Sequence, residues 1–290
     1  MNNRTPPNKR LYTLLGDPVH HSLSPQLQNA ALRTLGLDAV YVALCAWEEL
    51  VSPLMRSVAQ AGGGGNITVP HKELAADSLD RASEAVTATG ACNVFWWEDG
   101  TGLCGDNTDV DAFSTAAEAV LNSRLKGKRI LLLGAGGAAR AVAYACVSAG
   151  AGVVDVLNRS ATRAESLVSD LGGSRGLLRS RSQDSELLNS YDLIVNATSL
   201  GLLPGDPLPL DPRAVGAEAV LDLVYSRDAT PFVRAAREAG VRAEDGRRML
   251  VEQAAASFER WFRLDPPRDV MCRAVGITPG EAAADAVKRR

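Results

Sequence analysis

Hydrophobic positions in the first part of the chain form short apolar runs that alternate with amphipathic segments. Apolar runs of about four to eight residues bounded by turn residues are typical of buried strands, and apolar positions three or four apart are typical of helices. Such alternation predicts a mostly parallel sheet covered by helices. We predict strands at 12–15, 39–44, 66–69 and 91–97, and helices around 25–35, 49–60 and 74–85.

The same alternation continues in the second part of the chain, where it predicts a second parallel sheet. Residues 201–212 contain four prolines and are predicted to be a loop. The helical pattern at 249–262 is expected to return and pack on the first domain. We therefore predict an α/β fold of two domains, 1–110 with 247–290 and 111–246, and a cleft between them. The strands of the second sheet are expected at 128–133, 153–157, 193–196 and 220–224, with a helix at 140–148.

Composition narrows the class of protein. The 290 residues are 46% hydrophobic and 22% charged with a net charge of −3, which argues against a nucleic-acid partner and favours a small-molecule ligand. The start lacks an apolar signal segment, and no stretch is apolar enough to span a membrane. Five cysteines without a C-x-x-C spacing favour a reduced, cytoplasmic compartment, and the histidine spacing predicts no metal site. We expect a monomer or a homodimer.

A glycine-rich turn follows the predicted strand at 128–133. Glycines at such a strand-to-helix turn let the backbone approach a pyrophosphate, whose charge is then bound by N–H groups at the helix N-terminus. The alternative is that these are ordinary glycines of a βα turn. The segment reads Gly134, Ala135, Gly136, Gly137 and Ala138.

The residues after the next predicted strand indicate which dinucleotide binds. An NAD enzyme usually places Asp or Glu there for the ribose 2′-hydroxyl. This chain has Asn158, Arg159 and Ser160 instead, which suit a 2′-phosphate. The sequence therefore predicts NADP as cofactor, unless Arg159 is only a solvated surface charge.

Two ionisable residues stand beside the ends of predicted strands in the first domain. Lys72 follows the strand at 66–69 and a proline, and Asp109 lies where the chain crosses toward the glycine turn. An ammonium paired with a carboxylate can give a proton to a carbonyl oxygen that is being reduced and take it back in the reverse reaction. Taken singly, Lys72 fits a surface lysine and Asp109 fits a helix N-cap. A catalytic role is therefore favoured only by their joint occurrence with further motifs.

Those further motifs resemble the shikimate dehydrogenase family over residues 12–262. The resemblance rests on separated segments that occur in the family's order. They are S-x-S-P at 22–25, N-x-T-x-P-x-K at 66–72, G-A-x-N at 90–93, D-N-T-D at 106–109 and N-A-T-S at 196–199.

The resemblance implies a role for each matching residue. It makes Lys72 and Asp109 the catalytic pair. It implies substrate-binding roles for Ser22, Ser24, Thr68, Asn93, Asp109, Tyr225 and Gln253. It implies cofactor-binding roles for Gly134, Ala135, Gly136, Gly137, Ala138, Asn158, Arg159, Ser160, Arg163, Leu223 and Gly246.

Several of these residues also have a purely structural interpretation. Ser22 and Ser24 fit turn and helix-cap positions before Pro25, Asn93 fits a residue that caps backbone in a loop, and Gln253 fits a solvated helix face.

The implied activity is NADP-dependent reduction of 3-dehydroshikimate to shikimate. The alternatives are a quinate or aminoshikimate dehydrogenase on the same scaffold and a non-catalytic regulator that binds NADP or shikimate. A short-chain dehydrogenase is disfavoured because no tyrosine has a lysine four residues on. The chain departs from the family's pattern at Gln28, His71, Val94, Val110 and the pair Arg247 and Arg248.

Overall fold

A computed structural model of the chain describes residues 9–171, 176–181, 190–203, 205–226 and 228–278. The chain divides into two compact units. Unit 1 contains the chain up to Thr108 and the chain from Leu250 onward, and unit 2 runs from Asp109 to Met249. Within the ranges just given, no helix is both long and apolar enough to cross a membrane.

The strands of the described residues form one sheet in each unit. They are β1 (Arg10–Gly16), β2 (Ala39–Cys45), β3 (Gly64–Ile67), β4 (Arg81–Ala82), β5 (Val94–Glu98), β6 (Gly102–Asp106), β7 (Arg129–Leu133), β8 (Val153–Leu157), β9 (Leu178–Arg181), β10 (Ser190–Asn196), β11 (Gly216–Asp222) and β12 (Arg242–Asp245).

The helices of the described residues lie between these strands along the chain. They are α1 (Ser24–Thr34), α2 (Glu48–Gln60), α3 (Lys72–Asp77), α4 (Glu84–Thr89), α5 (Asp109–Leu121), α6 (Gly137–Ser148), α7 (Ala161–Leu171), α8 (Pro231–Glu238), α9 (Arg247–Phe262) and α10 (Arg268–Ala274).

The sheet of unit 1 has the order β2-β1-β3-β5-β6-β4. Strand β1 is parallel to β2 and β3, and β4 is parallel to β6, whereas β5 is antiparallel to both β3 and β6. Leu15, Met55 and Phe95 are among the buried residues of its core. Because β5 runs against its neighbours, the start of β5 lies at the same edge of the sheet as the ends of β3 and β6.

The sheet of unit 2 has the order β12-β11-β10-β7-β8-β9, and every neighbouring pair of these strands is parallel. Leu131, Ile194 and Val220 belong to its core. Parallel strands end at a common edge, so the segments that follow β7, β8, β10, β11 and β12 leave the sheet on one side. The predicted α/β class with mostly parallel sheets is confirmed.

Part of the predicted element list is wrong. The single helix predicted at 74–85 is instead α3, the short strand β4 and α4. A single helix cannot continue through this segment because its backbone and side chains make other hydrogen bonds. The Asp80 N–H donates to Leu103 O at 2.9 Å. The Ser83 hydroxyl accepts the Val86 N–H and so caps the start of α4. Strand β3 ends at Ile67, two residues before the predicted end, and the short strands β4, β6, β9 and β12 were not predicted.

Candidate active site

The turn after β3 carries the N-x-T-x-P-x-K segment. The Thr68 N–H donates to Leu15 O at 2.8 Å, and the His71 N–H donates to Thr68 O at 3.0 Å. His71 is buried, and its Nε2 lies 2.8 Å from Ala46 O. A carbonyl can only accept, so His71 Nε2 is the donor in this contact. The departure from the family at His71 therefore anchors the turn that leads into Lys72, the first residue of α3.

Two backbone hydrogen bonds join this turn to the G-A-x-N segment. The Ile67 N–H donates to Asn93 O at 2.9 Å, and the Cys92 N–H donates to Lys72 O at 2.8 Å. Burial raises the pKa of the Cys92 thiol to about 12, and the positive charge of Lys72 acts in the opposite direction. Cys92 therefore stays a neutral thiol at pH 7 and is no candidate nucleophile.

The side chain of Asn93 is fixed by the D-N-T-D segment. Its Oδ1 accepts the Thr108 N–H at 2.8 Å, and its Nδ2 donates to the Thr108 hydroxyl at 3.0 Å. The same hydroxyl lies 3.2 Å from the backbone oxygen of Gln253 on α9. The contact with the Thr108 N–H agrees with the structural interpretation of Asn93, which expects its side chain to cap a backbone group. They also orient the amide, because only its oxygen can accept from a backbone N–H.

We call Thr68, Lys72, Asn93 and Thr108 the first strand-end cluster. All four lie at the edge where β3 and β6 end and β5 begins. Gln253 joins the cluster through its backbone and is half-buried, so it is not on a fully solvated helix face.

Sequence reasoning gave Asn66 no role of its own, but this residue supports the first strand-end cluster from below. Its Oδ1 accepts the Tyr41 hydroxyl at 2.8 Å, and its Nδ2 donates to Asn93 O at 3.0 Å and to the Ser257 hydroxyl at 2.8 Å. Asn66 and Ser257 are both buried. An asparagine within a predicted buried strand is the signal that could have identified it, since such a residue needs hydrogen-bond partners.

A second supporting group, also unassigned from sequence, is the ion pair between Asp106 and Arg260. Arg260 Nη2 lies 2.7 Å from Asp106 Oδ2, and Asp106 Oδ1 accepts the Asn107 N–H at 2.8 Å and the Ser83 hydroxyl. Asn107 Nδ2 in turn donates to the Thr89 hydroxyl at 3.0 Å. These contacts fix the path of the chain directly before Thr108.

The S-x-S-P segment begins α1. The Ser24 N–H donates to the Ser22 hydroxyl at 3.2 Å, so Ser22 does take part in the turn. The suggested capping role of Ser24 is wrong, because Leu23 is the N-cap and Ser24 is the first residue of α1. Ser24 is buried and Ser22 half-buried.

The remaining substrate-side candidates lie in unit 2. Asp109 is buried at the first position of α5, and Tyr225 is half-buried after β11. The pairing of Lys72 with Asp109 stays a prediction.

The glycine turn of unit 2 shows why glycine is needed at its first position. Gly134 has φ +113°, and a Cβ there would lie 2.9 Å from Ala197 O. Its N–H donates to Leu157 O at 2.8 Å. Gly136 is the N-cap of α6, and a Cβ there would meet no atom within 4 Å. Gly134 therefore shapes the turn itself, while the backbone at Gly136 is open to an anion at the helix N-terminus.

The segment after β8 has the groups that a 2′-phosphate needs. Asn158 Nδ2 donates to Ser160 O at 3.0 Å, and the Ser160 hydroxyl accepts the Arg163 N–H at 3.4 Å. Arg159 and Arg163 are exposed. Two exposed guanidinium groups beside a fixed turn fit the additional phosphate of NADP, and no carboxylate stands there to select a 2′-hydroxyl.

The ends of β10, β11 and β12 meet beside the glycine turn. The Leu223 N–H donates to Asn196 O at 2.9 Å, and the Gly246 N–H donates to Val224 O at 3.1 Å. A Cβ at Gly246 would overlap Leu223 O, so only glycine allows this approach. We call Gly134, Gly136, Asn196, Leu223 and Gly246 the second strand-end cluster.

The two arginines that depart from the family pattern face acidic residues. Arg247 Nε lies 2.9 Å from both carboxylate oxygens of Asp245, and Arg248 Nε lies 2.9 Å from Glu244 Oε2.

Among the residues that the structure describes, no three histidine, cysteine or acidic side chains are arranged to hold a metal ion.

Comparison with known proteins gives consistent matches. The domain families described as shikimate dehydrogenase substrate binding domain, shikimate / quinate 5-dehydrogenase, and shikimate 5′-dehydrogenase C-terminal domain match residues 14–95, 115–202 and 246–275. A shikimate dehydrogenase (NADP(+)) of Methanothrix thermoacetophila is 41% identical over 273 residues, 93% of this chain and 98% of the relative. One of Brucella abortus is 40% identical over 256 residues, 87% of this chain and 88% of the relative.

A solved structure agrees with these matches. The shikimate 5-dehydrogenase of Thermus thermophilus, in complex with NADP(H) and shikimate, has a TM-score of 0.80 and 36% identity, covering 92% of this chain and 98% of the other. The fold and the glycine turn define an α/β protein with a dinucleotide-binding sheet. The chain belongs to the shikimate dehydrogenase family.

Proposed function

We propose that the protein is an NADP-dependent shikimate dehydrogenase that interconverts 3-dehydroshikimate and shikimate. The observation that carries this proposal is the pair of hydrogen bonds from Ile67 to Asn93 and from Cys92 to Lys72, which align two family motifs side by side. They bring a cationic side chain and an oriented amide to one edge of the sheet, at the first strand-end cluster.

Hydroxyl-bearing substrates need fixed donors and acceptors, and the first strand-end cluster supplies them. Asn93 is oriented by Thr108, and Thr68 follows β3 directly. We assign binding of the ring hydroxyls to Thr68, Asn93, Asp109 and Gln253. A substrate that lacks one hydroxyl would leave a buried polar group unpaired, so strong discrimination against such analogues is expected.

The substrate carboxylate is assigned to neutral donors. Ser22, Ser24 and Tyr225 each carry a hydroxyl that can donate to a carboxylate. Each hydrogen bond to a charged group contributes roughly 1.5–3 kcal/mol, so two or three of them hold the acid without an arginine.

The proton in the reaction is assigned to Lys72. Its ammonium donates to the ring oxygen as the ketone is reduced and recovers the proton during oxidation. Asp109 is assigned as the partner of Lys72 and as a ligand of the neighbouring hydroxyl. When bound, NADPH supplies the hydride to the carbonyl carbon.

The cofactor is assigned to unit 2. The pyrophosphate binds the turn from Gly134 to Ala138 at the N-terminus of α6, and the 2′-phosphate binds the segment from Asn158 to Arg163. Leu223 and Gly246 bound the nicotinamide end. The open space at Gly136 and the exposed guanidinium groups of Arg159 and Arg163 support this assignment.

Oxidation of quinate is the second candidate activity. The domain family that matches residues 115–202 is described for both shikimate and quinate 5-dehydrogenases. Quinate carries a hydroxyl on the ring carbon that bears the carboxylate, where shikimate has a double bond. The residues assigned to the carboxylate end, Ser22, Ser24 and Tyr225, therefore discriminate between the two acids.

A substrate and cofactor matrix tests the proposal. Purified protein is offered shikimate or quinate, each with NADP⁺ or NAD⁺, while the absorbance of the reduced cofactor is followed. We expect fast turnover only with shikimate and NADP⁺. Turnover mainly with quinate or NAD⁺ would instead assign a related dehydrogenase activity, such as oxidation of quinate. Absence of turnover with all four pairs would favour a non-catalytic regulator that binds NADP or shikimate.

Each of the two domains has its own proposed role. We propose that 1–110 with 247–290 form the substrate domain and 111–246 the NADP domain. A cytoplasmic location and a monomeric or homodimeric state stay predictions from the sequence.

A further inference from the structure

A buried carboxylate to which the proposed function gives no role lies at the end of β11. Asp222 is 0% exposed. Its Oδ1 accepts from Asn196 Nδ2 at 2.8 Å and from the Val224 N–H at 3.1 Å, and its Oδ2 accepts from the Thr230 hydroxyl at 2.6 Å. These three donors are neutral groups. Burial of a carboxylate is costly, so its hydrogen bonds must compensate for the lost hydration.

The first donor controls the N-A-T-S turn. Asn196 is fully buried, and its Oδ1 accepts both the Thr198 N–H at 3.1 Å and the Thr198 hydroxyl at 2.7 Å. Its Nδ2 also donates to Leu200 O at 3.1 Å. The carboxylate of Asp222 thus fixes which way the Asn196 amide faces, and the amide in turn fixes the turn.

The second donor controls the chain on either side of Leu223. The Val224 N–H is bound by Asp222, while the Leu223 N–H is bound by Asn196 O at 2.9 Å. The Gly246 N–H reaches Val224 O at 3.1 Å, which connects the end of β12 to the same segment. The Asp222 side chain therefore joins the segments after β10 and β11, and the backbone of Val224 connects them to the segment after β12.

We propose that Asp222 is a positioning residue for the nicotinamide end of the cofactor site. It acts by holding the N-A-T-S turn and the Leu223 segment in one arrangement and does not touch the cofactor. This inference rests on the proposed function, because the cofactor role of Leu223 and of the N-A-T-S turn comes from there.

The hydrogen-bond pattern predicts which substitutions preserve the arrangement. In Asp222→Asn the amide oxygen can still accept from Asn196 and Val224, and the new NH₂ group can donate to the Thr230 hydroxyl oxygen. Asp222→Ala removes all three acceptor contacts and leaves buried donors unpaired. The asparagine variant should therefore rescue what the alanine variant loses.

A matched control is available in the same sheet. Asp155 on β8 is also 0% exposed and accepts from Arg181 Nε at 2.9 Å and from the Tyr191 hydroxyl at 2.7 Å. Asp155→Ala removes a buried, hydrogen-bonded carboxylate of unit 2 without touching the three segments.

The experiment measures NADPH binding by fluorescence titration without substrate, the KM for shikimate, and thermal unfolding. For Asp222→Ala we expect the NADPH Kd to rise roughly tenfold to a hundredfold, the range for losing a hydrogen bond to a charged group. Asp222→Asn should stay within about threefold of the parent, a shift of under about 0.7 kcal/mol in binding. Asp155→Ala should lower the unfolding temperature with an unchanged Kd.

An Asp222→Ala protein that binds NADPH as tightly as Asp155→Ala does would overturn the inference, because Asp222 would then only stabilise the fold. If Asp222→Ala does not fold, Thr230→Val removes one of the three donors to Asp222, together with the cap that the Thr230 hydroxyl provides for the Val233 N–H at the start of α8. We expect this variant to raise the NADPH Kd while leaving the shikimate KM unchanged. An unchanged Kd in that variant would equally reject the role. A parent protein that binds NADPH but does not oxidise shikimate would reject the proposed substrate, and the titrations would still decide the role of Asp222.

Discussion

The two strand-end clusters differ in which chemical groups make their contacts. In the first, polarity is satisfied between side chains from distant parts of the chain, such as Asn93 with Thr108. In the second, glycines at 134 and 246 permit close contacts between backbone groups, and the buried Asn196 side chain adds contacts to Asp222 and Thr198. A small acid with several hydroxyls requires individually placed side chains, whereas a pyrophosphate is bound well by backbone N–H groups.

The aspartates that end a strand in each unit show the same contrast. Asp106 closes β6 and pairs with Arg260, while Asp222 closes β11 and accepts from neutral donors. Both fix the loop that follows. An ion pair compensates the charge that burial would otherwise penalise, so the two loops should respond differently to pH and to loss of a partner.

The largest expected effect separates chemistry from cofactor binding. Lys72→Met should lower kcat by about 10²- to 10⁴-fold, the usual contribution of a general acid or base, with little change in the NADPH Kd. Steady-state kinetics and NADPH titration measure the two effects. Lys126→Met, at an exposed lysine of unit 2, is the control. Undiminished turnover in Lys72→Met would remove Lys72 from the reaction.

The second prediction concerns the pH dependence of stability. Burial, with a smaller contribution from the charge of Asp245, raises the pKa of Asp222 from 3.8 to about 6. A raised pKa in the folded state means that the carboxyl group stabilises the fold fully below about pH 4, and that this stabilisation is lost as pH rises through 6. The loss is about 3 kcal/mol, since each pKa unit corresponds to about 1.4 kcal/mol.

Asparagine at position 222 does not ionise, so the stability of the parent relative to Asp222→Asn should fall between pH 4 and pH 7. Denaturant unfolding of both proteins across that range measures the difference. Parallel stability curves would contradict the assignment and would remove this contrast between the two aspartates.

The strands that the sequence did not predict are short and lack an apolar pattern. Strand β12 reads Arg-Ala-Glu-Asp, and β6 contains two glycines, so neither has the apolar alternation that identifies a strand. Their conformation is imposed by hydrogen bonds to β11 and to β5. The longer apolar runs that became β1, β2, β8 and β10 were predicted because their burial is evident in the residues themselves.

The candidate site divides in the same way. Motif residues such as Thr68, Lys72 and Asn93 could be named from local spacing, since each motif is short. The residues that hold them could not, because Arg260 and Asp106 are 154 residues apart and Ser257 and Asn66 are 191 residues apart. A buried asparagine such as Asn66 indicates that hydrogen-bond partners are needed, but local spacing does not identify those partners, which meet only once the chain has folded.

A third prediction tests whether the second strand-end cluster depends on backbone. Gly134→Ala should destabilise the protein by roughly 1–3 kcal/mol, because its φ is +113° and its Cβ would press on Ala197 O. Gly136→Ala should leave the unliganded protein unchanged, since its Cβ meets nothing, and should weaken NADPH binding by blocking approach to the helix N-terminus. Thermal unfolding and NADPH titration of both variants would show this crossing pattern, and equal effects in both assays would refute it.

The smallest expected effect tests the ion pair between Asp106 and Arg260, which supports the first strand-end cluster. Arg260 is about half exposed, with 49% of its side chain accessible, so solvent screening reduces what the pair contributes. Arg260→Met should raise the shikimate KM roughly threefold to fivefold, a cost of about 1 kcal/mol, because Asp106 loses one of the contacts that set Thr108 and thereby Asn93. The NADPH Kd should not change. Arg124→Met, which breaks the more exposed pair with Glu118, is the control and should alter neither constant. A rise in the NADPH Kd with an unchanged shikimate KM would show that Arg260 does not act on the first cluster, and the contrast between the two aspartates would then have to be redrawn.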